Sequence, residues 1–259
     1  MSHVICEKNA GAVIKSYSPN LIVHPYLYES QNVPKGIEIP DIVSKVTGVL
    51  DRVHVVVIGP GLGRDSLMLN TVAVIITEAR NRDLPIVIDA DGLYLIQSNM
   101  DLIRNYRQAV LTPNIMEFKR LADAAGIEAN VEPTKKAALL ANKFGGVTIL
   151  EKGKYDYISN GHTTIVSDIP GGLKRVSGQG DTLSGSIATF LAWRKAYLDK
   201  LWEHSGDLSE EHLMLLASFG GSVITRKAAA LAFQKKGRAV VTSDISDEVG
   251  PAFKELFEN

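Results

Sequence analysis

The stretch VVVIGPGLGRD, residues 55–65, passes from an unbroken apolar run into glycines at 59, 61 and 63 and on to Asp65. A run without polar alternation is what a strand covered on both faces requires. The glycines allow positive φ and close approach of a neighbouring backbone or ligand. Asp65 is a good residue for starting a helix. Strand, tight turn and helix are therefore expected in succession, and the helix N-terminus behind the turn suits an anion. A turn that needs backbone freedom and nothing more explains the glycines equally well. Their even spacing, with Pro60 between them, fits neither a Rossmann fingerprint nor a Walker A loop.

The same alternation recurs along the chain. Apolar runs at 3–6, 20–25, 53–59, 85–90, 109–113 and 147–153 read as strands, and amphipathic stretches near 38–51, 64–82, 114–125 and 134–144 read as helices. That order predicts a mostly parallel sheet wound by helices, with ligands at the carboxyl ends of the strands. YDYISNGHTTIVS (155–167), centred on Asn160-Gly161, predicts an antiparallel hairpin. From residue 181 onward the chain reads as helical, near 181–198, 209–234 and 246–258. No segment is polar and long enough to be a domain linker, so a single α/β domain over 1–259 is expected.

Composition excludes several classes. Of 259 residues, 45% are apolar and 22% charged, as in ordinary globular proteins. A formal charge of −1 gives no general attraction to nucleic acid or to an anionic membrane. One cysteine, Cys6, rules out an internal disulfide and fits a reducing, cytoplasmic setting, and no apolar run has the length of a membrane span. Few histidines and one thiol argue against a zinc centre or a cysteine nucleophile.

Four further stretches fall at strand ends. IVIDADGL (86–93) places Asp89 and Asp91 where carboxylates could hold Mg2+, or where an Asp-Gly turn could cap the next segment. In LTPNIMEFKRL (111–121), Asn114 and Glu117 have capping-box spacing. EKGKYDYI (151–158) brings Lys152 to a strand end, a cation suited to phosphate although lone lysines are usually idle. GGLKRVSGQGDTLSGS (171–186) crowds glycines before a helix, with N–H groups near Gly178, Gln179 and Gly180 available to an oxyanion. Asp181 at that helix start is either a plain N-cap, worth about 1 kcal/mol, or a proton acceptor. The helix N-terminus is expected to lower its pKa.

In this order, VVVIGPGLGRD, VIDADGL, LTPNIMEFKRL and GQGDTLSG resemble the NAD(P)H-hydrate dehydratase family of the ribokinase-like superfamily, whose members carry a late Gly-x-Gly-Asp motif. The likeness runs from about residue 3 onward, and IKSYSPNLIVHPYL (14–27) is similar to fungal members. It implies a three-layer α/β/α fold and ATP-dependent dehydration of the S-epimer of hydrated NADH or NADPH (NADHX, NADPHX), with ADP and phosphate released. It also implies Mg2+, without indicating metal ligands, and a small-molecule partner rather than nucleic acid or membrane. A homo-oligomer is compatible with it, as is a mitochondrial form if a targeting segment lies upstream.

The resemblance carries roles onto particular residues. Gly61, Asn114, Ile115, Met116, Glu117, Phe118, Lys119, Arg120 and Asp181 match substrate contacts. Lys152, Gly153, Lys154, Tyr155 and Asp156 match one ATP segment. Gly171, Gly172, Leu173, Lys174, Arg175, Val176, Ser177, Gly178, Gln179 and Gly180 match the other. Asp181 matches the catalytic base. Ser177 stands where the family usually has glycine, and the first βα unit of the family is expected to be missing. Two other readings stay open: a kinase for a vitamin-precursor alcohol such as hydroxymethylpyrimidine or hydroxyethylthiazole, and a nucleotide-binding remnant without catalysis.

Overall fold

The computed structural model describes residues 1–128 and 131–258. Two compact units divide the chain: 1–53 with 61–84, and 54–60 with 85–259.

In the first unit, β1 (Ser2–Glu7) and β2 (Leu21–Leu27) pair in parallel around α1 (Gly11–Tyr17). No pattern in the sequence signals α1. It is seven residues long, has no side-chain cap at Ala10, and buries only Gly11, so tertiary context rather than local propensity holds it. Two longer helices follow, α2 (Ile39–Leu50) and α3 (Ser66–Asn81), which pack together. Ile42, Val46 and Leu50 on α2, and Met68, Val72, Ile75 and Ile76 on α3, form buried stripes at helical spacing. Asp65 is the N-cap of α3: its Oδ1 accepts from the N–H groups of Met68 and Ser30, each at 3.1 Å. The Ser30 side-chain hydroxyl, ahead of these backbone donors, is the main cause that holds the Asp65 carboxyl below the usual range.

The second unit carries a six-stranded sheet in sequence order: β3 (Val56–Ile58), β4 (Ile86–Ile88), β5 (Ala109–Leu111), β6 (Thr148–Glu151), β7 (Asp156–Ser159) and β8 (Thr164–Ser167). The pairs from β3 to β6 are parallel, and β6–β7 and β7–β8 are antiparallel. The expected hairpin is therefore present, with β7 also paired to β6. Its turn is closed by Asn160 Oδ1, which accepts from the N–H groups of His162 and Thr163. Antiparallel pairing of β7 turns β8 back into the direction of β6, so residues 59, 89, 112, 152 and 168 all leave the sheet at one end.

The central strands are buried on both faces, as unbroken apolar runs require. Val87, Val110, Leu150 and Ile158 form one core with Leu183, Ile187 and Leu191 of α7 (Gln179–Leu198) and Met214 and Leu215 of α8 (Glu210–Lys236). Alternate residues such as Ile149 face the other side, where α6 (Pro133–Lys143) packs on β6 and β7. Each such fully buried aliphatic side chain contributes about 1.5–3 kcal/mol. The expected α5 (Ile115–Ala124) is present, and the helical C-terminal region resolves into α7, α8, α9 (Thr242–Asp247) and α10 (Val249–Phe257).

An unforeseen helix, α4 (Asp91–Ser98), begins directly after β4. The chain turns into it at Ala90, a non-glycine residue with φ +48°. That turn presses on the one after β3. A methyl group at Gly59 would lie 1.7 Å from the Asp89 carbonyl oxygen, and one at Gly92 would lie 2.7 Å from the Ile58 carbonyl oxygen. Gly59→Ala is thus expected to cost at least about 3 kcal/mol of stability, read as a lower urea midpoint. Gly185→Ala, at an open helical position, is the control and is expected to gain about 0.5–1 kcal/mol. Equal midpoints for the two variants would disprove the close contact.

Candidate active site

The carboxyl ends of β4 and β6 meet in one ion pair across β5. Lys152, just after β6, donates from Nζ to Asp89 Oδ1 at 2.7 Å. Asp89 is 2% exposed and also accepts from the Ala90 N–H at 2.9 Å. Between them, the Pro113 carbonyl accepts from the Lys152 N–H at 2.8 Å, so Asn114 and Lys152 form a short parallel bridge beyond β5 and β6. Lys152 is therefore not an idle surface lysine.

Asn114 caps α5, its Oδ1 accepting from the N–H groups of Met116 and Glu117, while Glu117 Oε2 accepts from the Asn114 N–H at 2.8 Å. The capping box is complete. Beside it Ile115 and Met116 are 64% and 58% exposed, an unusual apolar pair at a strand end. Lys119 and Arg120 are exposed as well, whereas Phe118 is buried in the helix's inner face. Phe118 thus serves packing and offers no side chain to a ligand. Gly61 lies in the first unit with φ +65° and open space around its α-carbon.

The glycine-rich loop leads into α7. Gly178, at φ +79°, is the residue preceding the helix, so Asp181 sits within the first turn and is not the cap. Among the described residues, the N–H groups of Gln179 and Gly180 have no acceptor, and the Asp181 carboxylate accepts no hydrogen bond. The Gly180 α-carbon faces the ion pair: a methyl group there would lie 3.2 Å from Asp89 Oδ2 and 3.7 Å from Lys152 Nζ. An acid, two free donors and a lysine–carboxylate pair are thereby gathered around one helix start.

The expected lowering of the Asp181 pKa does not hold. Partial burial of its carboxyl pushes the pKa above the ordinary value, the negative charge of Asp89 adds to the rise, and Lys152 opposes it. A single helix N-terminus, half open to water, is outweighed by desolvation and a like charge.

Side chains of the two segments expected to meet ATP are only partly free. The Asp156 carboxylate is turned inward. Its Oδ1 accepts from the Gly153 N–H at 3.0 Å and from Arg226 Nη1 at 3.1 Å, and its Oδ2 accepts from Ser222 Oγ at 2.7 Å. Lys174 Nζ donates to the carbonyls of Arg238 and Val240, each at 2.9 Å, and Thr242 Oγ1 donates to the Ser177 carbonyl. Lys154 and Tyr155 lie together at the surface, the ammonium 5.3 Å from the ring centroid. Leu173, Arg175 and Ser177 are exposed, while Gly171, Gly172, Val176, Gln179 and Gly180 are half-buried. Ser222 and Arg226 escaped the sequence reading. An arginine amid the small and apolar residues 217–232 was the signal for one of them.

Comparison with known proteins bears on this arrangement. A family described as NAD(P)H-hydrate dehydratase matches residues 1–250. The ATP-dependent (S)-NAD(P)H-hydrate dehydratase of Phaeosphaeria nodorum is 53% identical over 254 residues, covering 98% of this chain and 78% of that protein. Among solved structures, a ribokinase-like superfamily protein from Enterococcus faecalis gives a TM-score of 0.70 at 19% identity, over 98% of this chain and 77% of that one. An ADP/ATP-dependent NAD(P)H-hydrate dehydratase from Bacillus subtilis, co-crystallised with ATP and Mg2+, gives 0.63 at 18%, over 98% and 82%. The structural likenesses show a ribokinase-like fold.

The raised pKa has a consequence for stability. Between the ordinary carboxylate value and the raised one, the folded protein retains a proton that the unfolded chain has released, so stability falls as pH rises through that window. Asp181→Asn lacks this loss. Its Tm is expected to exceed that of the wild type at neutral pH, with the difference closing below the window. A lower Tm at neutral pH would contradict the electrostatics described.

Proposed function

The chain belongs to the NAD(P)H-hydrate dehydratase family, and from that membership we propose that it uses ATP to dehydrate the S-epimer of NADHX or NADPHX, returning NADH or NADPH with ADP and phosphate. It is accordingly a hydro-lyase that couples phosphoryl transfer to elimination. The observation that carries the reading is the Asp181 carboxylate, without a hydrogen-bond donor of its own, beside the two free N–H groups that open α7. In this reading the donors of Gln179 and Gly180 receive the transferred phosphoryl oxygens. Asp181 orients the substrate hydroxyl and takes its proton as the phosphorus–oxygen bond forms. Its raised pKa makes it a better acceptor than an ordinary aspartate. Phosphate then leaves with the electron pair of the carbon–oxygen bond, the neighbouring ring carbon gives up a proton to water, and that carbon–hydrogen pair becomes the restored double bond.

The two ATP segments, 152–156 and 171–180, supply mainly backbone and the Lys152 charge. Asn114, Ile115, Met116, Glu117, Lys119 and Arg120 are read as the substrate side, where the exposed apolar pair offers a surface to a nicotinamide ring; Gly61, in the first unit, is assigned to substrate on the family resemblance. Mg2+ fits the donor chemistry: it would be bound chiefly through phosphate and water and would need only one or two carboxylates, for which Asp89 at the ion pair is the candidate. The ion would neutralise phosphate charge during transfer. A cytoplasmic location belongs to the same reading, in keeping with the free, buried Cys6.

The test is incubation with (S)-NADHX, ATP and Mg2+. Return of dihydronicotinamide absorbance with release of free phosphate is expected. Asp181→Asn is expected to lose turnover by on the order of a thousandfold while still binding ATP. A stable phosphorylated alcohol as the product would favour the small-molecule kinase reading instead. Undiminished turnover in the variant would remove Asp181 from the chemistry.

A further inference from the structure

Arg226 lies in the middle of α8 with its side chain 13% exposed, and its guanidinium reaches two separate segments of chain. Nε donates to the Ile169 carbonyl at 2.6 Å, just after β8. Nη1 donates to the Gly153 carbonyl at 3.3 Å and to Asp156 Oδ1 at 3.1 Å. Nη2 donates to the Lys154 carbonyl. The second carboxylate oxygen of Asp156 is taken by Ser222, one helical turn earlier on the same face of α8. The later loop also touches the helix backbone: a methyl group at Gly172 would lie 2.5 Å from the Ala229 carbonyl oxygen.

These contacts have one common feature. Three of the four arginine acceptors are main-chain carbonyls, and they belong to the 153–154 turn and to the entry of the 171–180 loop. A planar fork with five donors spread over three nitrogens can satisfy such a set together; a lysine ammonium, whose three donors radiate from one nitrogen, cannot reach all four acceptors. We infer that Arg226 is a positioning residue for nucleotide binding, locking the β6–β7 turn and the loop after β8 at a fixed separation so that both present their backbone to one ligand. This inference rests on the proposed function for the assignment of those two segments to ATP. It adds that their mutual spacing is set from α8, by a residue that itself touches no nucleotide. Preorganisation of this kind acts on binding, because loops already ordered lose less freedom when the ligand arrives.

The test compares Arg226→Lys and Arg226→Met with the wild-type chain. ATP affinity is measured by calorimetric titration, KM for ATP and for (S)-NADHX by turnover, and loop order by amide hydrogen exchange. Both variants are expected to weaken ATP binding by about tenfold or more, with KM for (S)-NADHX within about twofold of wild type. Exchange is expected to quicken in 152–156 and 169–180 but not in 213–223. Arg226→Lys keeps a cation beside Asp156, so it decides the outcome if Arg226→Met does not fold. Unchanged ATP affinity in the lysine variant, with the wild type binding ATP, overturns the inference. An equal loss for both substrates, as general destabilisation would give, overturns it too. Failure of the wild type to bind ATP overturns the nucleotide assignment itself. In that case faster exchange confined to the two segments would still uphold the mechanical lock.

Discussion

The salt bridge between Lys152 and Asp89 is the constraint around which the second unit's functional end is organised. It ties the ends of β4 and β6 across β5, and the backbone of Lys152 is bonded to β5's own continuation at Pro113. Desolvating two charges is unfavourable, and the pair persists because geometry and an added backbone donor compensate it. Removing one partner of such a pair leaves a buried charge, at a cost of about 3–5 kcal/mol. The helix start at Gly180 is then packed directly against the pair, which fixes where Asp181 and the free N–H groups lie.

Much of this was legible in the chain, because it depends on local rules. Apolar runs ending in glycine or Asp/Asn located β3, β4 and β5, Asn160-Gly161 located the hairpin, and the spacing of Asn114 to Glu117 gave a capping box that is present to the last bond. The mostly parallel α/β sheet followed from that alternation, and the ribokinase-like fold from the resemblance of the strand-end motifs to the family. Elements with no local signature were not legible: α1 has no side-chain cap, and α4 is entered through Ala90, an alanine at positive φ that no propensity favours. The environment of Asp181 was also misjudged, since its pKa depends on burial in the folded chain and then on Asp89, far off in sequence. Lys152 and Asp89 are 63 residues apart, and Arg226 and Asp156 are 70. Pairings at such distances arise from topology and leave no periodic trace.

The helix α8 has two kinds of neighbour. Met214 and Leu215 near its start join the sheet core, while Ala228, Ala229 and Ala232 near its end join a smaller cluster with Val240, Ile245 and Ala252. Ser222 and Arg226 lie between, polar residues at the transition from one apolar cluster to the next. A largely buried arginine is tolerated there because each of its three side-chain nitrogens donates to an oxygen acceptor. The helix is packed at both ends, which makes it a suitable anchor for the two loops.

The bonds from Lys174 to the carbonyls of Arg238 and Val240, and from Thr242 to Ser177, join the glycine-rich loop to the crossing from α8 to α9. Seen from the other direction, that crossing is a remote handle on the loop. Shortening or lengthening the chain between Gly237 and Thr242 would leave the sheet and its ion pair in register, yet would displace the backbone that opens α7. Insertions for labelling or immobilisation that look harmless by distance along the chain would be transmitted there. A probe attached in this connector would report on the loop's state without occupying it.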